Sequence, residues 1–317
     1  MPSKLAILDD YQNVALGVTD WSVLGDRVEI TVFDSYLGEE DNVAASLEEF
    51  DIVVAMRERT PFPASLLQRL KNLRLLVTTG QRNLAIDMQA ARDAGIDVCG
   101  TAMLGYAAAE HAWALILALV KQIPVADQVM RTGGWQAGFS EGLNGKTLGV
   151  LGLGKLGARV AKVGLAFEMD VIAWSQNLTA ERAAECGVRR VDKDEFFTSA
   201  DIITVQMVLS ERTRGLVGAH ELARMKPTAF LVNTSRGPLV DEGALVEALR
   251  GRRIAGAGID VYDMEPLPTE HPLRELDNTV LTGHTGYVMR DNYALAYGEA
   301  IEDIAAWLDG KPVRLLN

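Results

Sequence analysis

The sequence predicts an α/β protein with two doubly wound parallel-sheet domains. Short apolar runs alternate with helical patterns almost from end to end, as expected when parallel strands are buried on both faces. The alternation stops once, at a long helical pattern and a glycine-containing loop, and then restarts. The chain has 317 residues, and at about 150 residues per domain this length accommodates two hydrophobic cores.

The first part of the chain is predicted to form one α/β unit. Its predicted strands are Lys4–Asp9, Val28–Phe33, Asp51–Met56, Leu73–Thr78 and Ile96–Cys99. The helical patterns between them are Asn42–Glu49, Pro63–Leu70 and Asp87–Ala94. Pro63 suits a first helical turn and Gly95 suits a C-terminal cap, so several boundaries have local signals.

A second set of strands follows a long helix, which is predicted from Gly105 to about Gln122 and ends before Pro124. The alternation restarts after the loop that contains Trp135. The predicted strands are Thr147–Leu151, Asp170–Trp174, Asp201–Gln206, Ala229–Asn233, Ala255–Asp260 and Thr279–Leu281. A last helical pattern, Arg290–Leu308, lies beyond them. We therefore predict that the second domain is inserted into the sequence of the first.

Composition and charge exclude several classes of protein. Lys+Arg number 31 and Asp+Glu 43, and the net charge of −12 disfavours nucleic acid, whose phosphates recruit basic residues. Cys99 and Cys186 supply neither a disulfide framework nor a cysteine zinc site, and indicate buried thiols in a reducing cytoplasm. Asp9 and Asp10 interrupt any signal peptide, and the nine-residue apolar run Ala112–Val120 is too short to cross a bilayer. We expect a cytoplasmic protein without nucleic-acid or membrane partners and, lacking paired histidines, without a metal.

The strongest ligand-binding motif is Gly152-x-Gly154-x-x-Gly157, between a predicted strand and the helical pattern Lys155–Phe167. Gly152 would form a tight turn, Gly154 would let the backbone approach a pyrophosphate, and Gly157 would let the helix pack on the strand. The helix N-terminus offers free N–H groups to the anion, and Lys155 adds positive charge. A tight turn without a ligand is the simpler alternative, but the context favours a dinucleotide.

The sequence leaves the choice between NAD and NADP open. A carboxylate about 20 residues after the glycine turn commonly binds the ribose 2′-hydroxyl of NAD. Here the strand ends at Trp174 and continues Ser175-Gln176-Asn177, with no acid before Glu181. The nearest basic residue able to hold a 2′-phosphate is Arg182, inside a predicted helix.

Three further segments carry candidate catalytic residues, Arg236, Glu265 and His284, each just past the carboxyl end of a predicted strand. Arg236 can anchor the carboxylate of a 2-oxo acid and polarise its carbonyl. His284 can donate a proton near neutrality, and Glu265 can hold the imidazole in one tautomer and favour its charged form. Taken singly, each has a structural explanation, such as a solvated charge or a turn residue before Pro266. Their joint occurrence favours catalysis.

These segments and the glycine turn resemble the D-2-hydroxyacid dehydrogenase family, in its glyoxylate and hydroxypyruvate reductase-like form, over nearly the whole chain. The most specific stretch is Asn233-Thr-Ser-Arg-Gly-Pro-Leu-Val-Asp-Glu. The resemblance implies reduction of a small 2-oxo acid to the D-2-hydroxy acid by NAD(P)H, with Arg236, Glu265 and His284 as catalytic residues. It also implies a discontinuous substrate-binding domain at 1–103 and 289–317, and a dinucleotide-binding domain at 104–288 that forms a homodimer.

The same resemblance assigns further contacts. Besides the glycines, the matching cofactor positions are Lys155, Leu156, Ser175, Met207, Thr234, Asp260 and His284. The matching substrate loop is Thr79, Gly80, Gln81 and Arg82. Two departures stand out: Gly283 precedes the histidine where proline is common, and the substrate loop differs from the usual Gly-Val-Asp-Asn type. The resemblance thus implies the reaction class more closely than the substrate.

Alternative functions share this fold. Formate dehydrogenases fit less well, because they carry Gln where Glu265 stands. Phosphoglycerate dehydrogenase fits, although its longer forms add a regulatory domain and this sequence stops at Asn317. A dinucleotide-sensing corepressor can retain the same three residues and is a binding protein rather than an enzyme.

Other conspicuous residues have open interpretations. Arg57 and Arg59 support either a substrate pocket or a surface ion-pair cluster. Trp135 fits a core aromatic or, by the family resemblance, part of a dimer arm. The remaining histidines are expected to be structural, namely His111, His220 and His271.

Overall fold

The computed structural model describes residues 1–136 and 138–317. The described chain forms two compact units, unit 1 with residues 1–104 and 288–317 and unit 2 with residues 105–287. The predicted fold class, two α/β domains with parallel sheets, is confirmed.

Unit 1 contains a five-stranded parallel sheet with the order β2-β1-β3-β4-β5. Its strands are β1 (Ser3–Ile7), β2 (Val28–Val32), β3 (Ile52–Ala55), β4 (Leu75–Thr78) and β5 (Asp97–Gly100). Its helices are α1 (Ala15–Val18), α2 (Glu40–Leu47), α3 (Ala64–Leu67), α4 (Met88–Asp93) and, after unit 2, α12 (Arg290–Leu308), with a 3-10 segment at Trp21–Arg27. The strand order reverses between β1 and β3, as in doubly wound sheets.

Unit 2 contains a seven-stranded parallel sheet with the order β12-β11-β10-β9-β6-β7-β8. Its strands are β6 (Thr147–Leu151), β7 (Asp170–Trp174), β8 (Arg189–Arg190), β9 (Ile202–Val205), β10 (Phe230–Asn233), β11 (Gly256–Ile259) and β12 (Thr279–Leu281). Its helices are α5 (Ala107–Val120), α6 (Ile123–Arg131), α7 (Lys155–Ala166), α8 (Ala180–Glu185), α9 (Lys193–Ser199), α10 (Ala219–Arg224) and α11 (Glu242–Arg250). Short 3-10 segments occur at Gly237–Leu239 and Pro272–Glu275.

Both faces of the unit 2 sheet are buried. Successive strand residues join opposite cores: Val150 and Val171 belong to one cluster of buried side chains, and Leu151 and Ile172 belong to the other. This arrangement explains why the strands are continuous apolar runs rather than alternating patterns.

β8 and α6 are among the elements of unit 2 that were not predicted. β8 is a pair of exposed arginines that lies beside β7, so its sequence carries no apolar signal. The predicted long helix ends at Val120 and a second helix, α6, begins at Ile123, where Pro124 occupies the first turn that tolerates proline. Among the described residues, no single helix is long and apolar enough to span a membrane, and α5 and α6 meet that requirement only as a pair bent by 61°.

A buried carboxyl group of α12 makes the stability of unit 1 depend on pH. Burial raises the pKa of Asp303 to about 6, although Arg314 opposes the rise, while Glu299 and Glu302 add to it. Arg314 Nε donates a 2.8 Å hydrogen bond to this carboxylate. Because the folded pKa lies above the ordinary value of 3.8, ionisation costs stability above about pH 6, and the cost disappears as the pH falls toward that ordinary value.

Asp303→Asn is therefore expected to stabilise the protein at neutral pH by on the order of 1–3 kcal/mol, since asparagine still offers Arg314 an acceptor. The difference between variant and wild type should shrink as the pH falls through about 6. Denaturant unfolding of both proteins at a neutral and a mildly acidic pH measures it. A difference that stays constant across this range would contradict the assignment.

Candidate active site

Two of the three glycines of the turn after β6 are required by close contacts within the protein. Gly152 has φ +98°, and a Cβ there would lie 2.7 Å from the carbonyl oxygen of Gln206 and 2.8 Å from Met207 Sδ. A Cβ on Gly157 would overlap the Gly152 carbonyl oxygen, so only glycine lets α7 pack this closely. Gly154, in contrast, faces open space.

This turn lies at the point where the strand order of unit 2 reverses, between β6 and β9. Open α/β sheets bind ligands outside the carboxyl ends of the strands at such a point. Met207 follows β9 beside the turn, and Gln206 Nε2 donates a 3.3 Å hydrogen bond to Thr234 Oγ1 on the loop after β10. The predicted cofactor positions Met207 and Thr234 are thus brought to the switch point.

The residues of this edge fit the pyrophosphate of a dinucleotide. α7 begins at Lys155, and no described side chain caps it, so its first N–H groups are available to an anion. The open space at Gly154 is a cradle that a Cβ would fill. The chemistry of the donors is therefore that of a phosphate site.

Gly157→Ala is expected to lower the free energy of unfolding by about 1–3 kcal/mol, because the added methyl group forces α7 away from β6. Gly154→Ala is the matched control. The added methyl group meets no protein atom, so this substitution should leave the free energy of unfolding nearly unchanged. It should weaken binding of NADH, because the methyl group fills the phosphate cradle. Denaturant unfolding and calorimetric titration separate the two effects, and equal loss of stability in both variants would refute this division of roles.

Arg236 follows β10 on a loop that is fixed by hydrogen bonds within itself. Ser235 N donates to Asn233 Oδ1 at 3.1 Å, and Asn233 Nδ2 donates to the Arg236 carbonyl oxygen at 2.9 Å. A Cβ on Gly237 would overlap the backbone of Tyr262, so the loop after β10 lies directly against the loop after β11. This contact brings Arg236 and the segment of Glu265 onto neighbouring loops.

Glu265 and His284 form a direct pair. Glu265 Oε2 and His284 Nδ1 are 2.5 Å apart, and Glu265 Oε1 accepts a 2.9 Å hydrogen bond from Tyr262 N. The ring of Tyr287 meets the imidazole edge-on, with centroids 5.7 Å apart. Across residues 1–136 and 138–317, no side chain or backbone group is hydrogen-bonded to His284 Nε2. With Nδ1 engaged, Nε2 is the nitrogen that can exchange a proton with a ligand.

A buried carboxylate positions the histidine loop. His284 has φ +54°, and its N–H donates to the Asp260 carbonyl oxygen at 2.6 Å. The Asp260 carboxylate accepts from Thr285 N at 2.7 Å and from Gly286 N at 2.9 Å. It also lies 3.2 Å from His111 Nε2 on α5. Burial acts to raise the pKa of Asp260, but hydrogen bonds led by that from His111 outweigh it, so the pKa is lowered.

This network is not predictable from the sequence, in which Asp260 matches a cofactor contact by resemblance and His111 is expected to be structural. The structure places both side chains against the loop that carries His284. No sequence signal links a helix residue to a loop so distant in the chain.

The other predicted cofactor positions of unit 2 lie just after the strands that precede them in the sequence. Lys155 and Leu156 form the first turn of α7, and Ser175 follows β7 and is half-buried. Trp135 is 77 % exposed, so it is not a core aromatic of this chain. Within the described part of the chain, no cluster of three or more His, Cys, Asp or Glu side chains could hold a metal ion.

The predicted substrate loop belongs to unit 1, where it follows β4. Thr79 is buried, and its Oγ1 accepts a 3.0 Å hydrogen bond from Arg57 N. The Arg57 guanidinium lies over Gly80, where a Cβ would overlap it, while Gln81 and Arg82 are exposed.

Arg57 and Arg59 both contact groups of unit 1. Arg57 lies 3.6 Å from Glu58. Arg59 donates to the Asp9 carbonyl oxygen at 3.1 Å and stacks over the ring of Tyr11 at 4.7 Å. The contact of Arg57 with Glu58 fits the ion-pair interpretation, and a role of these two arginines in a substrate pocket stays a prediction.

Fold and site together define a nucleotide-binding α/β protein with an acid–base pair on loops that follow two strands of the same parallel sheet as the glycine turn. Residues 113–286 match the family model described as D-isomer specific 2-hydroxyacid dehydrogenase, NAD binding domain. The chain belongs to this family, which confirms the resemblance seen in the sequence and the expectation of a nicotinamide dinucleotide cofactor.

Individual relatives support the same assignment. The chain is 39 % identical to the glyoxylate reductase of Aeropyrum pernix, over 80 % of this chain and 78 % of that protein. It is 38 % identical to the D-3-phosphoglycerate dehydrogenase of Archaeoglobus fulgidus, over 82 % of this chain and 50 % of that protein. It thus spans about half the length of that relative. The crystal structure of a phosphoglycerate oxidoreductase from Vibrio cholerae superposes with a TM-score of 0.92 at 36 % identity, covering 97 % of this chain and 99 % of the other.

Proposed function

We propose that this protein is an NAD(P)H-dependent reductase that converts a small 2-oxo acid to the D-2-hydroxy acid. The observation that carries the proposal is the Glu265–His284 pair, 2.5 Å apart, on loops adjoining that of Arg236 at the carboxyl edge of the cofactor-binding sheet. Reduction of a 2-oxo acid requires a group that binds the carboxylate and a proton donor for the carbonyl oxygen. A guanidinium and an imidazole supply these two functions.

Each of the three side chains has a distinct role in this proposal. Arg236 binds the substrate carboxylate through two parallel hydrogen bonds and draws electron density from the adjacent carbonyl. His284 Nε2 donates a proton to the carbonyl oxygen as that oxygen gains negative charge. Glu265 holds Nδ1 and so fixes the ring for this transfer. The nicotinamide ring, when bound, supplies the hydride to the carbonyl carbon.

The substrate class is supported by the names of relatives. Glyoxylate and hydroxypyruvate are proposed first, because the glyoxylate reductase is matched over 78 % of its own length. Oxidation of 3-phosphoglycerate is the second candidate, supported by the D-3-phosphoglycerate dehydrogenases that the chain matches. In either case we assign Thr79, Gly80, Gln81 and Arg82 to substrate binding, with residues 1–103 and 289–317 as the substrate domain and 104–288 as the cofactor domain.

We also propose a homodimer formed through unit 2, in the cytoplasm. α6 buries none of its residues within the chain, and it carries the exposed apolar side chains Ile123 and Met130. Phe139, just beyond it, is 96 % exposed. An apolar surface of this kind is typical of a subunit interface. The free cysteines fit a reducing compartment.

Oxidation of NADH and NADPH by the purified protein across a panel of 2-oxo acids tests the proposal. We expect turnover of glyoxylate or hydroxypyruvate and reverse reaction with the corresponding D-2-hydroxy acid. Turnover of 3-phosphoglycerate alone would select the second candidate. Tight cofactor binding with no turnover of any 2-oxo or 2-hydroxy acid would overturn the enzyme proposal and favour a dinucleotide-sensing binding protein.

A further inference from the structure

In dinucleotide-binding sheets, the loop at the position of residues 175–179, which follow β7, contacts the adenosine ribose of the cofactor. In this chain the loop carries no carboxylate. β8 lies directly beside β7, and Ala173 is paired with Arg190. The end of β8 therefore places an arginine next to the ribose-reading loop.

The side chain of Arg190 is held against this loop. Its Nε donates a 2.8 Å hydrogen bond to the carbonyl oxygen of Leu178. The pKa of nearby Glu181 is lowered by hydrogen bonds from the Glu181 backbone N–H and from Thr179. The positive charge of Arg190 lowers it further. One edge of the guanidinium is thus anchored. The two terminal nitrogens are hydrogen-bonded to no residue in the described ranges 1–136 and 138–317.

Neighbouring cations are paired with carboxylates of the chain itself. Arg182, which the sequence offered as the nearest cation, lies 3.1 Å from Glu185 on its own helix. Lys193, near the ring of Trp174, lies 2.7 Å from Glu221. Arg189 contacts Asp170 and Glu195. Arg190 is distinguished from these three by an anchored guanidinium whose terminal N–H groups are still available.

We propose that Arg190 binds the 2′-phosphate of NADPH and that this subsite makes the chain accept NADPH. The inference rests on the proposed function, because it takes the adenosine ribose of the cofactor to lie at this loop. A guanidinium offers two parallel donors to a phosphate, and the fixed Nε contact reduces the entropy lost on binding. Ser175 is neutral, so nothing at the end of β7 repels the phosphate, and its hydroxyl is an additional donor.

Calorimetric titration of the full chain with adenosine 2′,5′-bisphosphate and with AMP tests the subsite without requiring turnover. Arg190→Gln is expected to weaken the bisphosphate about tenfold or more, the equivalent of one charge-assisted hydrogen bond, and to leave AMP nearly unchanged. Arg182→Gln is the matched control and should change neither affinity. Ser175→Asp, which leaves Arg190 in place, should also weaken the bisphosphate selectively by placing a negative charge beside it.

The outcomes separate this inference from the proposed function. If the wild type reduces 2-oxo acids but binds the bisphosphate no better than AMP, the Arg190 subsite is refuted and the reductase stands. If Arg190→Gln weakens both nucleotides equally, the residue merely holds the Leu178 loop, and the inference also fails. If the bisphosphate preference depends on Arg190 yet no 2-oxo acid is turned over, the subsite stands and the reductase fails. Absence of nucleotide binding by the wild type overturns both.

Discussion

His284→Ala is expected to lower kcat for 2-oxo acid reduction by about two to four orders of magnitude, the usual contribution of a general acid. The cofactor should still bind with nearly wild-type affinity, because the phosphate cradle around Gly154 is formed by the turn after β6 and the start of α7. Steady-state kinetics with NADH, together with calorimetric titration of the cofactor alone, measure the two properties separately.

Glu265→Gln is the conservative companion to that variant. Glutamine can still contact Nδ1 of His284 but carries no charge, so the loss in kcat should be smaller than in His284→Ala. The alanine variant must remain folded, which thermal unfolding verifies. Near-wild-type kcat in folded His284→Ala would show that another group donates the proton.

Arg236→Lys is expected to lower kcat/KM for 2-oxo acids by about two orders of magnitude or more, because an ammonium group cannot reproduce two parallel hydrogen bonds to a carboxylate. For the same reason the wild type should turn over hydroxypyruvate far better than glycolaldehyde, its decarboxylated analogue. An aldehyde without the carboxylate cannot accept these two charge-assisted hydrogen bonds. The kcat/KM values of both substrates for both proteins test this role.

Arg252→Lys provides the matched control, since Arg252 precedes β11 at the opposite edge of the sheet and pairs with Asp277 at 2.6 Å. This substitution should change kcat/KM by no more than about twofold from the wild-type value, as expected for an exposed ion pair. Similar rates for hydroxypyruvate and glycolaldehyde in the wild type would rule out Arg236 as the carboxylate anchor.

The sequence predicts the fold well because central strands of both sheets, such as β3, β4 and β9, are buried along their whole length and therefore appear as apolar runs. The glycine turn is predictable from its spacing, because Gly152 and Gly157 are required by close contacts within the turn and with its neighbours. β8 escapes prediction because two arginines at a sheet edge carry no apolar signal. α6 escapes because Pro124 suggests the end of a helix, whereas it stands in the first turn of a new one, where proline is tolerated.

The site is predictable only in part. Arg236, Glu265 and His284 follow strands, so their placement at one sheet edge follows from parallel topology. The hydrogen bonds among His111, Asp260 and the His284 loop depend on how α5 packs against the loop after β12, which no local pattern encodes. The position of Arg190 is likewise not encoded locally. Arg182 is closer to Ser175 in sequence, but pairing of β8 with β7 brings Arg190 beside the loop.

The most direct test of the proposed catalytic site is a crystal structure with NADH and oxamate, an unreactive analogue of a 2-oxo acid. We predict that both oxamate carboxylate oxygens accept hydrogen bonds from Arg236, with the amide carbonyl oxygen within hydrogen-bond distance of His284 Nε2. The nicotinamide ring should lie against the opposite side of the same carbonyl. A carboxylate bound away from Arg236, or a carbonyl oxygen that faces a group other than His284, would contradict the account.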